Sequence, residues 1–283
     1  MRILFALPGL HRFGRGAEVV FESVAQQIAE RGEHHITLVG SGQARADRAY
    51  DFIHVPAASR EHFERWPRIP FFRHEFMYEE LTFAVALAAL PAIGKADITM
   101  TCSFPYTNWA LRRPRLGKRP AHVFVTQNGD WPALGQGWEP QFFACDGLIC
   151  TNPLYFDRNR DQWSAALIPN GVDPARFYPG PSRKIELGLP TDGPLILMVS
   201  ALEPGKRVIE AMRAVSDVPG AQLVVAATAR CATRSINSPP KSCRGASSVP
   251  YSITSKCRTS IEAPTSSFTL RFGNPSATSM SRR

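Results

Sequence analysis

Short apolar runs alternate with segments of helical periodicity from the N-terminus onward, and that alternation confines the chain to an α/β architecture. Ile3–Leu7 is an apolar run ending in Pro8-Gly9. Ala17 to Arg31 follows with apolar residues at Val20, Val24 and Ile28, a helical spacing, and Gly32 closes it. His35–Val39 and Phe52–Val55 read as further strands. Glu75 to Ile93 reads as a helix broken near Pro91. Asp97–Thr101, His122–Thr126, Gly147–Cys150 and Ala166–Ile168 are short strands, with a helix over Pro153–Trp163. Strands this continuous in apolar residues are covered on both faces. The expected fold is an open, doubly wound parallel sheet.

The pattern pauses over residues 169–194, where Pro169, Pro174, Pro179, Pro181, Pro190 and Pro194 punctuate a polar stretch. This reads as a linker between domains. The pattern restarts with a strand at Leu195–Val199, a helix at Lys206–Ser216 and a strand at Leu223–Val225. It stops near Ala227. The expected organisation is a first α/β domain over 1–168, the linker over 169–194, an incomplete second α/β domain over 195–226, and a tail over 227–283.

Charge follows that division. The net charge of +9 suggests nucleic acid until it is located: residues 227–283 hold nine Lys/Arg against one Glu, and the rest of the chain has 24 against 23. The body is close to neutral, so the overall charge says little about its partners. The tail has thirteen Ser and no sustained apolar periodicity, the composition of a disordered segment. The longest apolar run, Leu81 to Ile93, is too short to span a bilayer, and the N-terminus reads as a buried strand rather than a signal peptide. A cytoplasmic protein is expected. No Cys-x-x-Cys occurs and no His stands at zinc-ligand spacing, so no metal site is expected. Cys102, Cys145 and Cys150 read as buried thiols.

Two loops stand where ligands bind in such sheets, beyond the carboxyl ends of strands. Leu10 to Glu18 joins the first strand to the first helix and carries Gly14 and Gly16, which let an anion approach the helix N-terminus. It lacks the third glycine of a dinucleotide fingerprint, and the second strand ends Leu38-Val39-Gly40 without an acidic residue for a ribose. A plain strand-to-helix turn is the competing account. Thr126-Gln127-Asn128-Gly129-Asp130-Trp131 follows a buried strand and groups side chains suited to sugar hydroxyls and ring faces. Asn-Gly and Gly-Asp are also turn formers. Arg60 to Arg73 mixes arginines with Phe63, Trp66, Phe71 and Phe72. That composition suits either a packed surface loop or contact with an anionic membrane.

The most specific stretch is Ile168-Pro169-Asn170-Gly171-Val172-Asp173-Pro174-Ala175-Arg176-Phe177-Tyr178-Pro179. It resembles the interdomain segment of family 4 glycosyltransferases, I-P-N-G-V-D-x-x-x-F-x-P, at every typed position. The first loop is similar to that family's G-G-A-E loop, with Arg15 where the first glycine usually stands. Cys145-Asp146-Gly147-Leu148-Ile149-Cys150-Thr151-Asn152 resembles its A-D-x-V-x-x-x-S strand. Met198 to Arg207 resembles the opening G-R-L-x-x-E-K-G of its nucleotide-binding domain, with Ala201 where an arginine is usual.

The resemblance covers roughly residues 1–226 and implies a GT-B fold of two Rossmann-like domains. It implies transfer of a sugar with retention, from a nucleotide-sugar donor to an acceptor, without an obligatory metal. Gly16, Lys206 and Arg207 then stand for donor-phosphate binding, and Gln127, Asn128 and Asp130 for the catalytic side. Asn170, Gly171, Asp173 and Phe177 shape the interdomain linker, Phe177 as its anchor. Relatives on lipid-linked acceptors make peripheral contact with the inner face of a membrane a candidate.

The family's donor site also uses E-x7-E, which this chain does not show. The tail reads as the gene in a shifted frame. Ala226 to Ser247 can then encode a continuation into V-V-A-G-D-G-P-L-R, and Ile261 to Arg283 a string containing E-P-F-G-N-V-Y-V-E. On that reading residues 195–226 expose apolar surface that the rest of the domain would cover. The lead expectation is a glycosyltransferase impaired in its donor half. A non-catalytic acceptor-domain remnant is the second. Nucleic-acid binding through the tail is the third, set aside because the tail carries no recognised motif.

Overall fold

A computed structural model describes residues 1–114, 119–133, 138–200, 206–228, 252–254 and 267–271. The chain divides into two compact units, Met1–Pro174 and Ala175–Arg283.

The first unit is a seven-stranded parallel sheet. Its strands are β1 (Arg2–Ala6), β2 (His35–Gly40), β3 (Asp51–His54), β4 (Ile98–Thr101), β5 (Ala121–Val125), β6 (Gly147–Cys150) and β7 (Ala165–Leu167). Their order is β3-β2-β1-β4-β5-β6-β7. Ile3 of β1 pairs with Ile36 of β2 on one side and with Ile98 of β4 on the other. The order therefore reverses between β1 and β4, which opens a crevice at their carboxyl ends.

Period-two alternation on β1 sends side chains to both faces. Ile3, Phe5 and Leu7 pack with Ala17, Phe21 and Ala25 of helix α1 (Gly16–Glu30). Leu4 and Ala6 pack on the other face with Phe83, Ala84 and Leu87 of α2 (Glu75–Ala88) and Ile93 of α3 (Pro91–Lys95). Covering both faces is why the strands read as nearly unbroken apolar runs. The break expected near Pro91 separates α2 from α3, with Pro91 opening the latter. Helix α4 (Tyr106–Arg112) was not read from the sequence. Helix α5 (Pro153–Asn159) is shorter than its expected span. Asn152 Oδ1 accepts from Tyr155 N–H at 2.9 Å and caps it, and Pro153 follows at the first position.

In the second unit, β8 (Leu195–Val199) pairs in parallel with β9 (Gln222–Thr228). Helix α6 (Val208–Ser216) lies between them in sequence, and its Val208, Met212 and Val215 pack on Leu223 and Val225 of β9. Leu197 and Val199 of β8 are 59% and 75% exposed. The stretch expected to be patternless contributes two strands, β10 (Ser252–Thr254) and β11 (Ser267–Arg271), antiparallel to one another, with β11 also antiparallel to β9. The sequence Ser-Phe-Thr-Leu-Arg of β11 alternates polar and apolar residues, a local strand signal that the tail's composition hid. The remaining tail residues, including those of the shifted-frame strings outside these strands, lie outside the described residues, as does Ala201.

Candidate functional site

The crevice beyond β1 and β4 is walled first by residues 7–15. Two glycines at the end of β2 let that loop lie flat. A β-carbon at Gly42 would fall 2.1 Å from the backbone of His11, and one at Gly40 would fall 2.5 Å from Leu10 Cβ. His11 holds the loop from inside. Its Nδ1 lies 2.8 Å from the Gln43 carbonyl, which can only accept, so Nδ1 carries the proton. Nε2 of the neutral ring then accepts from the Tyr50 hydroxyl at 2.8 Å, and the ring stacks on Phe52 at 4.1 Å. Burial lowers the His11 pKa and favours that neutral form.

Helix α1 begins at the rim. Nothing lies within 4 Å of where a β-carbon would stand at Gly14 or at Gly16. Internal packing therefore does not demand glycine at either position, and the space before the helix N-terminus is open. Arg15 stands between them with its guanidinium 4.0 Å over the Phe13 ring. Its Nη1 is 3.6 Å from both Glu18 Oε1 and Glu79 Oε2. Arg60 donates to the same Glu79 oxygen through Nε at 2.9 Å and Nη2 at 2.7 Å. Two guanidiniums thus share one buried carboxylate.

The floor is acidic and dry. Glu18, Glu79, Glu80, Cys102 and Ser103 are all buried. Glu80 Oε2 accepts from Tyr106 N–H at 3.3 Å and bonds the Ser103 side chain. Burial pushes the Glu80 pKa up to about 8, with the Glu79 charge adding to the rise. Burial likewise raises Glu18, and it raises the Cys102 thiol well above its ordinary range, with Glu18 and Glu80 contributing. Cys102 is an inert buried thiol, as the sequence reading expects.

The expected catalytic trio separates in space. Asn128, exposed at the rim, donates from Nδ2 to Cys102 Sγ at 3.5 Å and so belongs to the crevice. Gln127 is half-buried, and its Oε1 is buried without a partner among the described residues. Asp130 is buried elsewhere: Oδ1 accepts from Asn159 Nδ2 on α5 at 2.7 Å, and Oδ2 is 3.7 Å from Arg158 Nη1. Its contacts lie on α5, not on β4.

Gly16 stands at the open rim, as described. Lys206 and Arg207 belong to the second unit, where both are exposed and precede α6. Asn170, Gly171 and Asp173 close the first unit, and Phe177 falls in the second. The Phe177 ring is 61% exposed with the Arg176 guanidinium 5.4 Å above it, so it is not packed as an anchor. Among the described residues no three His, Cys, Asp or Glu side chains gather as metal ligands.

Sequence reasoning missed Glu79, Glu80, Ser103 and His11, and took Arg60 only as part of a basic-aromatic stretch. The signal for the first two was present: consecutive acids in the otherwise apolar Met77 to Ala88.

No protein-family profile matches the chain, and no curated protein matches it. Among solved structures it resembles WaaG, a glycosyltransferase involved in lipopolysaccharide biosynthesis, at 15% identity and a TM-score of 0.50. The match covers 79% of this chain and 62% of that one, so the chain spans less than two thirds of WaaG's length. The likeness is one of fold, a Rossmann-like α/β architecture of the GT-B type.

Proposed function

We propose that the chain is a glycosyltransferase of the retaining family 4 type. The crevice between the first loop, β4 and β5 receives part of a nucleotide-sugar and its acceptor. The observation that carries this reading is the α1 N-terminus, open at Gly14 and Gly16 beyond the carboxyl end of β1. Helix N–H groups favour an anionic diphosphate. The exposed Asn128 amide offers hydrogen bonds to sugar hydroxyls. Transfer on this reading is positioning and charge stabilisation, with no metal step. Lys206 and Arg207 of the second unit are proposed as donor-phosphate ligands on the family resemblance alone.

Titration of the full chain with UDP-glucose and GDP-mannose tests the reading, followed by release of UDP or GDP in the presence of candidate glycan and lipid acceptors. Saturable binding of one donor that Asn128→Ala weakens about tenfold supports it. No binding of either donor by a folded chain removes it. The exposed Leu197 and Val199 favour a second reading, a remnant that binds acceptor without transferring. It predicts acceptor binding with no donor binding. Contact with an anionic membrane is proposed on Trp66 and Ile69, 52% and 48% exposed beside Arg65 and Arg68. No nucleic-acid partner is proposed.

A further inference from the structure

The segment after β5 is fixed at two points, with the crevice residues between them. At its start, Thr126 Oγ1 accepts from Thr151 N–H at 3.1 Å, and Thr151 Oγ1 donates to the Thr126 carbonyl at 3.3 Å. This ties the segment to the end of β6. At its far end Asp130 meets Asn159, the last residue of α5. Both are buried, at 4% and 0% exposure. The orientation of the Asn159 amide is settled locally. Nδ2 donates to the Tyr155 carbonyl at 2.8 Å, so the same nitrogen donates to Asp130 Oδ1 at 2.7 Å. Asp130 also closes a turn, its carbonyl accepting from Ala133 N–H at 3.2 Å. Gly129 joins the fixed points at φ +127°, a conformation that L side chains rarely adopt. Gln127 and Asn128 therefore project from a span held at both ends.

We infer that Asp130 is a positioning residue: its buried carboxylate latches the post-β5 segment to Asn159 on α5 and thereby places Gln127 and Asn128 at the crevice. That placement serves the glycosyl-transfer reading, on which its functional meaning rests. A carboxylate is the stronger acceptor for a buried amide. Arg158, 3.7 Å from Oδ2, lowers the cost of burying the charge. Asp130 touches neither β4 nor the first loop in any hydrogen bond or ion pair among the described residues. It acts through the backbone of residues 127–129. The role was invisible in sequence because Asn159 stands 29 positions away within a helix.

The test is hydrogen exchange of the full chain, read on peptides covering residues 126–133, for wild type, Asp130→Ala, Asn159→Ala and Asp130→Asn. Peptides from β1 and α1 report global unfolding. Asp130→Ala and Asn159→Ala raise exchange of the segment by about tenfold or more and leave β1 and α1 protected. Asp130→Asn restores protection, because its amide oxygen still accepts from Asn159. Unchanged exchange in both alanine variants overturns the latch. So does an Asp130→Asn variant that exchanges like Asp130→Ala. Should Asp130→Ala not fold, Asn159→Ala against Asp130→Asn decides alone.

A parallel titration with UDP-glucose and GDP-mannose separates the two proposals. Wild type that binds neither donor removes the transferase reading and leaves the exchange result standing. A protected Asp130→Asn that loses donor binding as fully as Asp130→Ala shows that the charge itself is used, and overturns the positioning role.

Discussion

The carboxyl group of Glu18 lies against the backbone of Gly9: a β-carbon at residue 9 would fall 2.0 Å from Glu18 Oε1 and 2.9 Å from its Cδ. The first loop closes over that contact, since the Gly9 carbonyl accepts from Arg12 N–H at 3.0 Å and Phe13 N–H at 2.9 Å. Gly9→Ala must expel the Glu18 carboxyl from its buried place beside Arg15. The expected loss is about 1–3 kcal/mol, read as a lower urea midpoint at constant slope. Gly16→Ala meets open space at a helix N-terminus and is expected within about 0.5 kcal/mol of wild type. Equal effects at the two positions would show that the close approach at Gly9 is not what selects glycine.

Arg60 and Glu79 form the second dependence. Arg60→Met leaves the Glu79 carboxylate buried with Arg15 alone, at 3.6 Å. The expected cost is about 2–4 kcal/mol, because a buried charge keeps its desolvation penalty after its closest partner is gone. The double variant Arg60→Met/Glu79→Met removes both charges and is expected to recover most of that loss. Thermal unfolding of the two singles and the double gives the coupling directly. A double variant no better than Arg60→Met contradicts the account.

How much of this was legible beforehand depended on the range of the interaction. The strand–helix alternation of a parallel sheet was legible in local apolar runs, and the Ile168 to Pro179 segment carried its resemblance in consecutive residues. Asn128 follows β5 in the chain, where ligand loops lie in such sheets. The latch at Asp130 and the pairing of Arg60 with Glu79 were not legible, since each joins residues 19 or more positions apart with no periodic signal. Asp130 looked like a crevice residue because it follows Asn128 by two positions. Gly129 at φ +127° redirects the chain between them.

His122 sets the acid limb of stability. It is wholly buried on β5, with Nδ1 at 3.0 Å from Thr99 Oγ1 and Nε2 at 3.1 Å from Asn108 Nδ2. Burial holds its pKa down to about 3 from 6.5. The unfolded chain therefore binds a proton that the folded chain refuses between these values. Its contribution is full above pH 6.5 and falls by about 1.4 kcal/mol per unit as pH drops toward 3. His122→Gln is expected to flatten this limb. Urea midpoints at pH 7 and pH 4.5 should differ by less in the variant than in wild type. An equal difference would place the acid sensitivity elsewhere.

Glu80 acts in the opposite direction. Facing it are Glu79 and Arg60 by charge, Ser103 and Tyr106 N–H by hydrogen bonds, and the Cys102 thiol, itself next to Glu18. Its folded pKa of about 8 lies above the ordinary 4.5. Over that interval the folded chain holds a proton that the unfolded chain has released, so stability from this group is full below pH 4.5 and drains away as pH rises through 8. Glu80→Gln keeps an oxygen for Tyr106 N–H and cannot ionise. Its advantage over wild type should grow from near zero at pH 5 to about 2–4 kcal/mol at pH 9. A constant difference across that range would mean Glu80 titrates as an ordinary carboxylate. The same proton bears on ligand binding on the proposed reading, because ionisation above pH 8 adds a negative charge to the crevice floor. Wild-type affinity for UDP-glucose or GDP-mannose should then fall between pH 7 and pH 9, while Glu80→Gln holds its affinity. Parallel decline in both proteins would assign the loss to another group and place the diphosphate away from this floor.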